Sequence, residues 1–347
     1  MKKILFPPEH IQRPLPMNFH GDDASLFQTK ASVSWEMYYQ QLNQVTVNTE
    51  LFVKQRIKIL PISFGHPWQG KRYNGLPYLV KTTIKDLIRK KKPVDEAIWV
   101  LDQFSTGGYY HWLTEILPRI WSSQSLGLPS DLPFYFPEFF FTKWNFGREL
   151  LAPFNINSIP YEKNQLLKIR KMHFVSQAGG PLSFQSVPLK GAIKVLKDYY
   201  YDEDYQPVST KIYISRNRGS KRCLLNEDDL LPVIEKGGFQ VVYTEELSIK
   251  EQINIFSRAE VLMSIHGAGL TNMVFMEEGR AVVEIRNKST DHMVNCFLAL
   301  ADTVGLEYNY LLGDMIPQLG EHREIDYSME LELEKLRIFL KELSGIR

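Results

Sequence analysis

The chain has 347 residues, of which 44% are hydrophobic and 23% charged, a balance that excludes a disordered or fibrous polymer and predicts more than one hydrophobic core. Lysine and arginine total 41 against 40 acidic residues, a formal net charge of +1, so no general field steers the protein toward nucleic acid. The two cysteines, Cys223 and Cys296, lie far apart with no C-x-x-C spacing, which suits a reducing compartment and predicts a cytoplasmic protein.

The first residues, MKKILFPPEH, hold too few apolar side chains before Pro7 and Pro8 for a signal peptide. No stretch approaches the roughly 20 apolar residues of a membrane span. Membrane contact is therefore expected at most at the surface, possible sites being the basic run 89–92 and the aromatic stretch 133–146. A solvated helix end and core packing are the plainer readings of these two. Residues 50–60 and 97–102 read as strands, 111–126 as a helix after a Gly-Gly turn, and 187–201 as another helix. Pro207, Val208 and Ser209 read as a linker near residue 206.

From Thr210 onward β-branched runs alternate with helical periodicity, which predicts parallel βαβ units. Residues 211–215, 239–243, 261–265, 281–285 and 306–312 are the expected strands of a doubly wound sheet. Asn226 is placed to cap a helix ending before Gly237 and Gly238, and Ser248 with Glu251 forms a capping box. Residues 291–304 read as a helix. A last amphipathic helix, 328–344, is expected to pack back toward the first domain. The chain thus divides into 1–206, 207–327 and 328–347.

The segment SIHGAGLTN, 264–272, ends a parallel strand and opens a helix, where open α/β sheets bind ligands. Its backbone N–H groups and helix N-terminus suit a diphosphate, although tight strand-to-helix turns also need glycine without any ligand. Gly267, Ala268, Gly269, Leu270, Thr271 and Asn272 are the candidate contacts. Asn272 stands where a dinucleotide fingerprint has its third glycine, which counts against a nicotinamide enzyme. His266 is placed to donate to a phosphate or sugar, or is simply hydrogen-bonded structure. Arg216, Arg218, Lys221 and Arg222 follow the first strand of the same sheet as candidate counter-charges or a solvated basic loop. Glu284, one strand further, is a candidate acceptor for ribose hydroxyls or a structural carboxylate.

In HWLTEILPR, His111, Glu115 and Arg119 are four apart, a polar stripe on an apolar helix. Pro118 removes a helical hydrogen bond and should distort the turn carrying Glu115. The stripe suits proton transfer to and from a hydroxyl, or is an ordinary ion pair on a wet face. A metal site lacks a third ligand at a recognised spacing.

GGYYHWLTEILPRI (107–120), KIYISRNRGSKRCLLNEDDL (211–230) and the run from Glu245 through EQINIFSRAEVLMSIHGAGLTNMVFM to Glu284 resemble glycosyltransferase family 61. The resemblance covers roughly 102–285; residues 1–95 carry no placed motif. It implies an α/β protein of GT-B architecture, two Rossmann-like domains facing a cleft, the second holding a nucleotide-sugar and the first the acceptor, with Tyr110 and Arg119 on the acceptor side. It implies an inverting transfer, UDP-sugar favoured, to a glycan or lipid-linked glycan hydroxyl, in bacterial members for capsule, lipopolysaccharide or other surface-glycan synthesis. Gly108 departs from the family, which commonly has asparagine there. With unperturbed pKa values of about 6.5 and 4.3, either His111 or Glu115 can serve as base; Glu115 is expected to do so, with His111 positioning the acceptor. The 267–271 turn with Arg216 and Arg222 would meet the leaving diphosphate, so that no cofactor or metal is strictly required. The only D-x-D letters, 202–204, lie in a charged stretch. The alternatives are a non-catalytic nucleotide- or partner-binding subunit and, less favoured, an NAD-dependent oxidoreductase.

Overall fold

The computed structural model describes residues 2–27, 32–65, 70–71, 73, 75–105, 108–144, 146–180, 182–216, 222–317 and 327–345. The chain forms two compact units, one made of Met1–His10 and Val33–Leu196, the other of Ile11–Ser32 and Lys197–Arg347. Residues 11–32 thus fold with the second half: Met17 N donates to Tyr308 O at 2.8 Å, Asn18 and Tyr310 exchange two hydrogen bonds, and Phe27 packs on the Tyr310 ring at 4.5 Å. Nothing local in the sequence signals that return.

The first unit is built on a mixed sheet of β1 (Lys2–Phe6), β2 (Met37–Val47), β3 (Val53–Gln55), β4 (Lys58–Ile59), β5 (Lys90–Trp99), β6 (Phe134–Pro137), β7 (Ser158–Tyr161) and β8 (Gln165–Val175). Its order is β4-β3-β2-β8-β5-β6-β7, with β1 paired to β2. Only β8, β5, β6 and β7 run parallel, so parallel pairing in the first unit is confined to that part of a mixed sheet. The antiparallel β2–β8 ribbon supplies the remainder. The aromatic stretch is core: Phe134, Phe136 and Phe140 are buried, and the Trp112 ring stacks on Phe136 at 6.0 Å. The basic run opens β5 rather than ending a helix.

The second unit holds β9 (Lys211–Ile214), β10 (Phe239–Val242), β11 (Val261–Ile265), β12 (Ala281–Asn287), β13 (Glu307–Ile316) and β14 (Ser328–Glu330), in the order β10-β9-β11-β12-β13-β14. The first five strands are parallel and β14 is antiparallel. Every residue of β11 and β12 is buried, as expected of central parallel strands covered on both faces. The chain leaves β9 for β10 on one side and returns to β11 on the other. The connections therefore diverge at the carboxyl ends of β9 and β11, where such sheets open a crevice.

The Ser248–Glu251 capping box forms as expected. Asn226 does not cap its helix, because its side-chain amide is engaged with both backbone groups of Leu331. The segment after β11 is a 3₁₀ helix, Ala268–Phe275, and residues 291–304 split into 3₁₀ His292–Asn295 and α Cys296–Val304. The last helix begins later than expected, at Leu333–Gly345, because 328–330 complete the sheet edge as β14. Its Leu336, Phe339 and Leu340 pack with Leu230 and Ile234 in the second unit's own core, a correction to the expected return to the first domain. Among the described residues, no helix is long and apolar enough to cross a membrane.

One buried ion pair ties the first unit together. Arg119, fully buried, donates from Nη1 to Asp102 Oδ2 at 2.8 Å and from Nε to the Val175 carbonyl at 2.8 Å, joining the helix to the ends of β5 and β8. Burial pushes Asp102 up and Arg119 down, each against the pull of the other. Removing one partner leaves an uncompensated buried charge, so Asp102→Ala should lower unfolding stability by about 3–5 kcal/mol. Asp102→Leu with Arg119→Met should lower it by less than the sum of the single changes. Urea unfolding of the singles and the double checks this; strict additivity would rule out the coupling.

Candidate active site

The candidate residues gather in one group in each unit. In the first, Gly108 has φ +97° and ψ −156°, a region essentially reserved for glycine. The helix then runs α over Tyr109–His111, π over Trp112–Ile116 and α over Leu117–Gln124. Pro118 has no N–H to give the Thr114 carbonyl, and Leu117 N reaches back to Trp112 O. The expected distortion is this widened turn, a form common at functional sites.

His111 Nδ1 and Glu115 Oε1 are 2.7 Å apart across it, and Gln177 Nε2 donates to Glu115 Oε2 at 3.4 Å. The carboxylate can only accept, so Nδ1 carries the proton and Nε2 is the ring nitrogen left for a ligand. The His111 side chain is 22% exposed and that of Glu115 8%. Burial opposes a charge on His111, but Glu115 and, behind it, Asp102 outweigh burial and hold its pKa above the ordinary value. Phe104 lies against the His111 ring at 5.9 Å. Gly65 makes room: a Cβ there would come within 2.3 Å of the Phe104 ring and 2.7 Å of Gln177 Nε2. Tyr110 is half-buried with its ring edge on His111 at 5.3 Å. Arg119, expected on the acceptor side, is instead fully buried on Asp102 and touches no open surface.

In the second unit, Arg216 follows β9 and the Gly267 turn follows β11, the two strands flanking the crevice. Arg216 Nη1 donates to the His266 carbonyl at 3.1 Å. A Cβ on Gly267 would lie 1.5 Å from that nitrogen, so no other residue fits with Arg216 in place. The Gly267 φ of 166° is ordinary extended backbone; close approach is what requires glycine. Burial, then repulsion from Arg222, pushes Arg216 down to about 10. Arg222 Nε is buried with no hydrogen-bond partner among the described residues. Two crowded guanidinium groups beside the start of a helix make a site whose field favours an anion. Arg218 and Lys221 lie outside the described residues.

The turn offers less than its letters promise. Ala268 is exposed and Gly269 partly so, while Leu270, Thr271 and Asn272 are fully buried. Leu270 is core, and Asn272 Nδ2 donates to Gln252 Oε1 and Gly269 O, each at 3.1 Å. These three hold the turn from beneath.

Glu284 is also a correction. It is fully buried, its Oε1 engaged by His266 Nδ1 and its Oε2 accepting from the Tyr308 hydroxyl, so neither oxygen is placed for a ribose. Burial lowers the His266 pKa, with Arg222 and Arg286 adding to it against the pull of Glu284. His266 is therefore a neutral imidazole held in one tautomer. Arg286 donates to Asn295 Oδ1 at 2.6 Å and sits 4.9 Å from the Phe27 ring. Sequence reading missed Asp102, Gln177, Gly65, Tyr308 and Arg286. For Arg286 a signal existed: Glu284 and Arg286 are two apart on one face of the mostly apolar strand AVVEIRN. Among the described residues no group of three or more His, Cys, Asp or Glu is arranged to hold a metal.

A family model described as Glycosyltransferase 61 matches residues 109–283, which include His111, Glu115, Gln177, Arg216, Arg222 and His266 but neither Asp102 nor Glu284. The chain is similar to the EGF domain-specific O-linked N-acetylglucosamine transferase of Drosophila melanogaster, 36% identical over 110 residues, 30% of this chain and 20% of that protein. It is 31% identical over 126 residues to the protein of the same name in Xenopus laevis, covering 32% and 23% of the two chains. With alpha-1,3-arabinosyltransferase XAT3 of Oryza sativa subsp. japonica it shares 33% identity over 86 residues, 24% of this chain and 15% of that one. These matches span less than a quarter of the length of the relatives. The family model, in contrast, covers about half of the chain, and the chain belongs to the Glycosyltransferase 61 family.

Proposed function

We propose that the protein is an inverting transferase that takes a sugar from a nucleoside diphosphate donor, UDP-sugars favoured, and passes it to a hydroxyl of a glycan or lipid-linked glycan. The observation that carries this reading is Arg216 lying across Gly267 at the crevice between β9 and β11. We assign the donor to the second unit and the acceptor to the first, the division of labour of a GT-B enzyme. The relatives' names make N-acetylglucosaminyl and arabinosyl donors the first to try. A cytoplasmic role in bacterial capsule, lipopolysaccharide or other surface-glycan synthesis belongs to the same proposal, and family resemblance is its only support.

In the proposed reaction the acceptor hydroxyl gives its proton to His111 Nε2 while its oxygen forms the new bond to the anomeric carbon. The bond from that carbon to the diphosphate breaks on the opposite face, and the diphosphate leaves with the electron pair. Arg216, Arg222 and the N–H groups of the turn meet its charge, so the step requires no metal. The geometry favours His111 over Glu115 as base. Glu115 is the more buried of the two and already accepts from Nδ1, which orients the ring and makes Nε2 more basic. Neutral His266, backed by Glu284 and Tyr308, is assigned to accept a hydrogen bond from a donor hydroxyl.

Thermal unfolding with UDP, GDP, CMP, dTDP and NAD in turn tests the donor half. At 100 times the dissociation constant a ligand stabilises by about 2.7 kcal/mol, a shift of a few degrees in Tm. One nucleoside diphosphate should produce it, and Gly267→Ala or Arg216→Ala should abolish it. A shift with NAD alone would favour an oxidoreductase, and no shift would favour a subunit without turnover.

His111→Ala should lower kcat by about 10²–10⁴-fold. Because the base works unprotonated and its pKa is raised, kcat/KM should fall as pH drops through a value above that of ordinary histidine. Glu115→Gln removes the carboxylate that raises it, so the acid limb should move to lower pH. A limb that stays in place would separate Glu115 from the base.

A further inference from the structure

The helix Leu76–Ile88 in the first unit is turned inside out. Its buried side chains are Thr82 and Asp86, whereas Leu76, Val80, Ile84, Leu87 and Ile88 are exposed, from 49% for Val80 to 85% for Ile88. Asp86 explains the orientation. It accepts from Lys54 Nζ at 2.6 Å, from Arg89 Nη1 at 2.6 Å and from Asn48 Nδ2 at 3.2 Å. A carboxylate with three charged or amide donors beneath the sheet edge fixes which face points inward, and the apolar face is left in water.

At 3.6 residues per turn the five apolar side chains fall within an arc of about 120°. Lys81 and Lys85 follow at its edge, and the exposed Lys90 and Lys91 lie just past its end. Lys85 also approaches Glu50 at 3.8 Å, and Glu50 is the carboxylate that Arg89 Nη2 meets at 2.6 Å. An apolar arc bordered by lysines, on a helix too short to span a bilayer, is the pattern of a segment that lies in a lipid interface.

We propose that this face is a peripheral docking surface for anionic lipid, in which the five apolar side chains enter the boundary between headgroups and acyl chains and Lys81, Lys85, Lys90 and Lys91 meet lipid phosphates. The charge decides the occupant. The segment 76–92 carries five lysines and one arginine against one acid, Asp86, which is buried and paired, so it complements a negative surface rather than a neutral one. The inference is independent of the catalytic reading.

Flotation of the whole chain with vesicles of phosphatidylcholine, with and without phosphatidylglycerol, tests it. Binding is expected only with the anionic lipid, weakening as salt rises, and falling by about tenfold or more in Ile84→Glu with Leu87→Glu. Lys81→Glu with Lys90→Glu and Lys91→Glu should weaken it too. All these side chains are exposed, and an unchanged thermal midpoint checks that the variants fold. Failure to float, or equal flotation of wild type and variants, overturns the proposal. So does a wild-type dimer that Ile84→Glu with Leu87→Glu converts to monomer without lipid, which would make a second copy the occupant.

Discussion

Arg216 lies where the Cβ of any residue but glycine at 267 would have to be, and the geometry of the second unit's crevice edge follows from that one contact. The guanidinium is anchored by the His266 carbonyl, which directly follows β11, so the parallel register of β9 with β11 sets its position. Once there, it is too buried to be fully solvated, and Arg222 adds repulsion. A cation in that position is stabilised by an incoming anion more than a solvated one would be, because less water has to be displaced and the field is less screened. The turn beneath is held rigid by Leu270, Thr271 and Asn272, which are committed to the core. Their burial keeps the open part of the turn in place.

Each unit holds one histidine–carboxylate pair among the candidate residues, and their surroundings drive the two apart. His111 with Glu115 has a second carboxylate, Asp102, in its field, and the imidazole becomes more basic. His266 with Glu284 is more deeply buried and faces Arg222 and Arg286, and it becomes less basic. The same chemical pair is thus made more basic in one place and less basic in the other. Environments that separate like groups in this way are how a protein assigns acid–base roles.

The parts of the molecule legible in sequence are those set by local rules. Strand Val261–Ile265 and the Ser248 capping box depend on residues within a few positions of one another and were readable to the residue. The π-turn was foreshadowed by Pro118, whose missing N–H is a local fact. What escaped depends on distant partners. Asn226 carries a capping residue's letters but is claimed by Leu331, far along the chain. Glu284 sits where a ribose ligand was plausible, yet Tyr308 on the neighbouring strand takes its second oxygen. Arg119 belongs to a helical stripe with His111 and Glu115 by spacing, but Asp102 draws it into the core. For Glu284 and Arg119 tertiary structure supplies a protein group where the sequence suggests a ligand, and for Asn226 it supplies a distant backbone where the sequence suggests a helix end.

Charge distribution follows the same logic at larger scale. A net charge of +1 rules out a uniform field, but it says nothing of segregation. Arg216 and Arg222 converge on one crevice, while Lys81, Lys85, Lys90 and Lys91 border one apolar face. Screening over about 8 Å at physiological ionic strength makes such local groupings, rather than the whole-molecule sum, what an approaching ligand senses. The near-neutral total is thus compatible with sharply cationic sites. The inverted helix shows what positions one of them, since Asp86, by binding Lys54 and Arg89 inside, leaves the remaining lysines to face outward without a carboxylate on their own helix to quench them.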